Sequence, residues 1–388
     1  MKVSAVAAGS RQAAVIDTRR TVADAGVSGP VGSRALRAVL IVLLALIPLL
    51  QIGVVATGDW LEADRPRDAT AYWAAAERVR AGEPLYTGVE PGPNVPGVGA
   101  PYLYPPFLAA VLSFVAVDHA AFVRAMLVLG LLCYWFYAAC LGRVATGRFS
   151  AFATLLWGAA LMAGFGAQGA VSAGQIEPLI WALFGAALVF PAARGFALAA
   201  AGAAKLYALW PLGLALWRDR RRAAIGAAAA VGLACIAAVA ALGARGTVTA
   251  SMTWLTGVYP SLAQGQFAWG LPDGGAPGWA AYLGNGNLSL AFLPLQLAHF
   301  AGLLDGASLP VAARAYLTLA GIAAPAAALW LLRRRSIELR LAGVMAAAVL
   351  FGPIFRSTYS PILFAVAAAW AGERRGALAV PGAERAES

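Results

Sequence analysis

Asp68, Glu177 and Lys205 are the ionisable residues of this 388-residue chain that stand where charge is hardest to keep, at or between long apolar runs. Asp68 heads the stretch Asp68-Ala69-Thr70-Ala71-Tyr72-Trp73, which runs on as a helical pattern to Gly82. A carboxylate at a membrane–water boundary can receive the proton of a hydroxyl nucleophile as a new bond forms, which is the work of a general base. The same Asp68 is also a good N-cap for a helix that stops at Gly82, and the two roles can coexist. Tyr72 lies one helical turn on and faces the same way, where its phenol either orients the carboxylate or packs. Asp59, Glu62 and Asp64 are rivals in the same loop, read as solvated or capping. Lys205 is the only lysine after Lys2, and it falls near the middle of the apolar run from Phe196 to Trp217. A charge at a helix centre costs roughly 2.5–3.5 kcal/mol on insertion scales, so Lys205 needs a partner, a watery cavity or deprotonation. Glu177 is the nearest acid by segment order.

The elements that must hold these residues are membrane helices. The chain is 61% hydrophobic and 12% charged, with a mean hydropathy of +0.73, which no soluble globule matches. The reading is an all-α, polytopic integral membrane protein. Ala38 to Ala56 carries no charge and is long enough to cross the hydrocarbon layer, and it has no cleavage site. Further apolar segments cover 105–117, 122–141, 149–165, 176–190, 196–217, 223–242, 288–304, 311–332, 339–351 and 361–370. The expectation is therefore about 10–11 membrane segments with short helices on the outer face. Residues 1–33 read as a flexible cytoplasmic tail and 376–388 as a flexible C-terminal tail. Residues 34–375 read as one domain with outer loops at 58–104 and 245–286.

The net charge of +11 does not indicate nucleic acid, because the arginines cluster at the ends of apolar runs, as the positive-inside rule describes. Lys2, Arg11, Arg19, Arg20, Arg34 and Arg37 precede the first span, which makes the N-terminus cytoplasmic. Alternation then puts Arg218 and Arg220 to Arg222 inside, but Arg333 to Arg335, Arg374 and Arg375 outside. One segment must fail to cross, and Leu288 to Leu304 is the first choice.

Cys133, Cys140 and Cys235 fall inside apolar runs, and His119 and His299 are isolated. There is no metal-ligand cluster, no Asp-x-Asp and no glycine-rich phosphate loop, so neither a metal nor a cofactor is expected. Tyr102 and Tyr104 stand before Pro105-Pro106, where tyrosines either guide a lipid or belong to an interfacial belt. Trp254, Tyr259, Gln264, Gln266, Trp269, Trp279, Tyr282, Asn285 and Asn287 mix flat apolar faces with amides, which suits a sugar-binding wall and equally an aromatic belt.

Asp68 with Tyr72 and Ala75-Ala76, then Gly82 and Leu85-Tyr86, then Tyr104-Pro105-Pro106, resembles the first outer loop of the polytopic glycosyltransferases of family 87. Ala173-Gly174-Gln175, Gly202 with Lys205, and Asn287 with Ser289 are similar to later signatures of that family. Glu177 stands where the family often has an amide, and Phe355 to Pro361 lacks the histidine often seen near the last outer turn. The resemblance implies a GT-C-type helical bundle, multi-pass in a bacterial plasma membrane. It further implies inverting transfer of a monosaccharide, with mannose the family's example, from a polyprenyl-phosphate donor to a glycolipid or glycan hydroxyl on the outer face. Asp68 would be the base, with Tyr72, Tyr102, Tyr104, Gln175, Glu177, Lys205, Asn287 and Arg356 binding substrate. The departing phosphate needs cations, for which Arg356, Lys205 and Arg245 are available. Lys205 either pairs with Glu177 or contacts that phosphate. The rival reading is a secondary transporter or flippase for a lipid-linked sugar that uses Asp68, Glu177 and Lys205 as a path.

Overall fold

A computed structural model describes residues 31–55, 68–86, 102–116, 118–260, 288–305, 309–352 and 355–379. Most of both tails, Asn287 and most of the two outer loops lie outside the described residues. The chain divides into residues 1–45, which hold the first turns of α1 (Val31–Val54), and residues 46–388, to which everything below belongs.

Every regular element among the described residues is helical. In chain order they are α2 (Asp68–Ala81), α3 (Pro106–Ser113), α4 (His119–Thr146), α5 (Ala151–Ala163), α6 (Phe165–Ser172) and α7 (Glu177–Val189). Next come α8 (Arg194–Ala204), α9 (Leu209–Arg218), α10 (Arg220–Thr253), α11 (Leu293–Phe300), α12 (Val311–Leu331), α13 (Ile337–Leu350) and α14 (Phe364–Arg374). The starts follow local chemistry. Asp118 and Ser150 accept from Ala121 N–H and Ala153 N–H and so open α4 and α5, and Ser336 opens α13 by accepting from Leu339 N–H. Gly147 closes α4 in the left-handed conformation, at φ 78°.

Three helical stretches are long and apolar enough to cross a membrane, at His119–Thr146, Arg220–Val258 and Val311–Leu331. α5 and α6 together, bent by 88°, make a fourth candidate. Around α4, the most enclosed of the long helices, the remaining elements are shorter. α8 and α10 approach closely because Gly195 and Gly226 leave room: a Cβ on Gly226 would sit 2.7 Å from the backbone nitrogen of Phe196.

The helices run between two chemically different ends. At one end Arg335 pairs with Glu373 at 3.4 Å, and the Ser336 N–H donates to that carboxylate at 2.6 Å. Arg194 pairs with Glu338 at 3.5 Å, and its Nε donates to the Ala187 carbonyl. Asp219 lies close enough to Arg194, and Arg218 to Arg340, to feel each other's charge. Ala377 packs on Gly147, beside Arg148. The contacts therefore gather Arg148, Arg194, Arg218, Arg335 and Arg374 together, although alternation of the apolar segments sets Arg148, Arg194, Arg335 and Arg374 on the opposite side from Arg218.

Three segments explain the difference. The 105–117 run yields α3, 8 residues or roughly 12 Å long, and the 288–304 run yields α11, also 8 residues. Neither reaches across a ~30 Å layer. The 196–217 run is two helices, because α8 stops at Ala204 and Lys205 is extended, at φ −147° and ψ 125°. α8 and α9 double back as a hairpin, with Lys205 at its tip and Arg194 and Arg218 at its feet. The outer stretch expected from residue 245 is helical too: α10 kinks at Gly243, where φ is 69°, and continues through a π-helical turn at Trp254–Val258.

Candidate functional site

At the end of the bundle away from the arginines, a cavity of about 390 Å³ collects the first residue of α2 and the breaks between α6 and α7, between α8 and α9, and between α13 and α14. Non-helical backbone within a membrane is tolerated where it is covered by protein or lines a cavity, and each of these breaks does so.

Gly174 sets the first contact. Its left-handed φ of 61° turns the chain sharply after α6, and the Ala69 N–H donates to the Ala173 carbonyl at 3.2 Å, which pins the start of α2 against that turn. A Cβ on Gly174 would sit 2.7 Å from the Ala69 Cβ, so glycine is what permits this approach. The result brings Gln175 to Asp68, where Gln175 Nε2 donates to Asp68 Oδ2. Among the described residues Asp68 is therefore held by a side-chain amide, and the capping bond to its own helix does not form. Asp68 itself lines the cavity wall.

Tyr72 is buried and serves a neighbour other than Asp68. Its hydroxyl donates to Tyr104 Oη at 2.8 Å and accepts from the Ile176 N–H at 3.4 Å, with the two rings edge-on at 5.1 Å. Burial, and after it the charge of Glu177, pushes both phenols well above their ordinary range, so they stay protonated donors. Tyr102 does not reach the cavity. Its hydroxyl donates to the Pro105 carbonyl and accepts from the Ala109 N–H, both at 2.9 Å, which completes the first turn of α3.

Lys205 forms an ion pair with Glu177, whose side chain is 2% exposed. Its ammonium also donates to Tyr359 Oη at 2.9 Å and lies 4.4 Å over the Tyr359 ring and 5.0 Å over the Tyr104 ring. The expected mid-helix lysine is thus a lysine at a helix break, where a buried charge finds its partners. Arg356 is the other cation lining the cavity, three residues before Tyr359. Trp254 lines the opposite wall and donates from Nε1 to the Leu103 carbonyl at 3.1 Å.

Arg245 is absent from the lining. Asn287, the amides from Gln264 to Asn285, and Asp59, Glu62 and Asp64 lie outside the described residues. Ser289 ties its segment to the 350–355 turn by donating to the Gly352 carbonyl at 2.6 Å. His119 meets Thr70 Oγ1 at 3.2 Å and His299 meets the Leu304 carbonyl, both away from the cavity. Among the described residues no three His, Cys, Asp or Glu side chains come together.

Sequence reasoning missed Tyr359, Tyr207 and Trp210, which all line the cavity. The available signal was the Ser/Thr-rich run Arg356-Ser357-Thr358-Tyr359-Ser360-Pro361 between two apolar segments, a stretch that cannot be buried without something to bond to. Three polar atoms of the wall are buried without a partner: Gln175 Oε1, Glu177 Oε2 and Tyr207 Oη.

The family described as glycosyltransferase family 87 matches residues 102–355, well over half of the chain. No curated protein and no solved structure matches. The family match begins downstream of Asp68, so the position of that carboxylate is an independent observation.

Proposed function

The chain belongs to glycosyltransferase family 87 and is a membrane glycosyltransferase, and on that premise we propose that it moves a monosaccharide, mannose in the first instance, from a polyprenyl-phosphate carrier to a hydroxyl acceptor. One observation carries the reading: residues 107 positions apart meet to present an oriented carboxylate, Asp68 held by Gln175, at a cavity built from helix breaks.

In this reading the acceptor hydroxyl oxygen attacks the anomeric carbon as the bond from that carbon to the carrier phosphate breaks. The acceptor proton passes to Asp68, and polyprenyl phosphate leaves with the bonding electrons. Gln175 occupies Oδ2 and leaves Oδ1 for the proton. Attack from the face opposite the phosphate inverts the anomeric centre. Arg356, a cation that lines the cavity beside the Tyr359 turn, is assigned to the departing phosphate. The apolar remainder of the lining, with Trp210, Leu317 and Ile322, suits the first units of a polyprenyl tail, and Ile322 and Trp210 are exposed. The positive-inside rule assigns the arginine end to the cytoplasm and the cavity to the outer side of a bacterial plasma membrane. The acceptor would be a glycolipid or glycan at that surface.

Transfer from radiolabelled polyprenyl-phosphate sugars, in membranes holding equal amounts of wild type or Asp68→Asn, tests the reading. Loss of a general base is expected to slow transfer about 10²–10⁴-fold. Equal transfer by both proteins would move the base elsewhere. No transfer by the wild type from any carrier would overturn the donor assignment and favour a transporter or flippase, a reading supported by the buried Glu177–Lys205 pair among broken helices. Movement of a labelled carrier across proteoliposomes would then be the activity to measure.

A further inference from the structure

The unpartnered atoms of the cavity wall have a common chemistry. Gln175 Oε1 and Glu177 Oε2 are acceptors, buried and without a hydrogen-bond donor. Tyr207 Oη is a donor in the same condition. Tyr359 Oη accepts from Lys205, so its own hydrogen remains to give. These groups follow one another along the wall: Asp68 is bonded to Gln175, Glu177 lies two residues on and is bonded to Lys205, Lys205 is bonded to Tyr359, and Arg356 opens the same turn. If Asp68 receives the acceptor proton and Arg356 meets the phosphate, whatever lies between them is the donor sugar.

We infer that Glu177, held by Lys205, reads hydroxyl groups of the donor sugar, with Gln175 as a second acceptor and Tyr359 and Tyr207 as donors. The inference rests on the proposed function above and deepens it. Lys205 is then a positioning residue, which holds one oxygen of Glu177 and leaves the other for substrate. A neutral sugar rich in hydroxyls satisfies two buried acceptors at once. A hexuronate offers a carboxylate that cannot donate to the Glu177 acceptor, and is rejected. A deoxy sugar leaves an acceptor unpaired and is also disfavoured.

The test uses membranes of the full-length protein and polyprenyl-phosphate donors carrying the native sugar, its monodeoxy analogues and the matching uronate. The wild type should discriminate against at least one deoxy analogue by roughly 10–100-fold in kcat/KM, the scale of one hydrogen bond to a charged group. The comparison is with Glu177→Leu/Lys205→Met, which replaces the pair by apolar side chains and so avoids an unpaired buried charge. In this double variant transfer is slower and the penalty for that analogue falls towards onefold. Glu177→Gln, which keeps the shape but replaces the carboxylate acceptor by a weaker amide one, should show a smaller penalty than the wild type should the double variant not accumulate. A double variant or Glu177→Gln that keeps the full penalty overturns the inference and leaves the pair a purely structural one, with the transferase reading intact. Absence of transfer by the wild type from every donor overturns the transferase reading itself, and the inference with it.

Discussion

Asp68 is useful only as far as Gln175 orients it. Gln175→Ala removes the one described bond to the carboxylate and leaves the backbone of the turn alone. A hydrogen bond to a charged group accounts for roughly 10–100-fold in rate, so kcat should fall by about that factor. KM for donor should rise as well, because Gln175 also accepts from the sugar, and a rise in KM with kcat unchanged would show that Gln175 binds substrate without orienting the base. At this scale much was legible. Asp68, Tyr104, Gln175, Glu177, Lys205 and Arg356, each named from the sequence, all line one cavity. Tyr72 and Tyr102 were read for their chemistry and turn out to brace the wall, because a phenol's partner depends on a fold that spacing does not reveal. Tyr359 escaped notice since one tyrosine in a polar run has no periodicity to mark it.

Among the elements, the breaks matter more than the helices. Gly166, in α6, lies so close to the Ser357 carbonyl that a Cβ there would collide with backbone. Gly166→Ala should therefore push the 3₁₀ turn Ser357–Leu363 away from α6 and carry Tyr359 off Lys205. Overpacking of this kind typically costs about 1–3 kcal/mol. A lower melting temperature in detergent together with reduced transfer is the expected result, whereas unchanged values for both would mean that the turn yields freely. Hydropathy identified the apolar runs but could not show where they break, because Phe196 to Trp217 is long enough to span. Lys205 and Pro211 are the residues in it that argue otherwise, and the first helix does end at Lys205.

For the whole molecule, the arrangement of arginines makes a prediction about sides. In a Cys235→Ser background, where the two remaining cysteines are buried, cysteines placed at Arg334 and Arg375 should react with an impermeant maleimide only after the membrane is opened. A cysteine at the exposed Glu83, after α2, should react in intact cells. Labelling of Arg334→Cys from outside would reject the assigned sides. The arginine clusters were plain in the sequence. The number of crossings between them was not, because α3 and α11 are apolar yet too short to cross.

The α8–α9 hairpin also has a history in time. During synthesis, Phe196 to Trp217 leaves the ribosome as an apolar stretch with one lysine, ahead of α10. Yet α8 in the finished protein lies against α10, backbone to backbone at Gly195 and Gly226. The hairpin's neighbour arrives after it, and Tyr359, a partner of Lys205, arrives some 150 residues later. The site is therefore finished late: its lysine waits on residues yet to be translated, and a chain stopped after α9 has the sequence of the hairpin without the contacts that hold it.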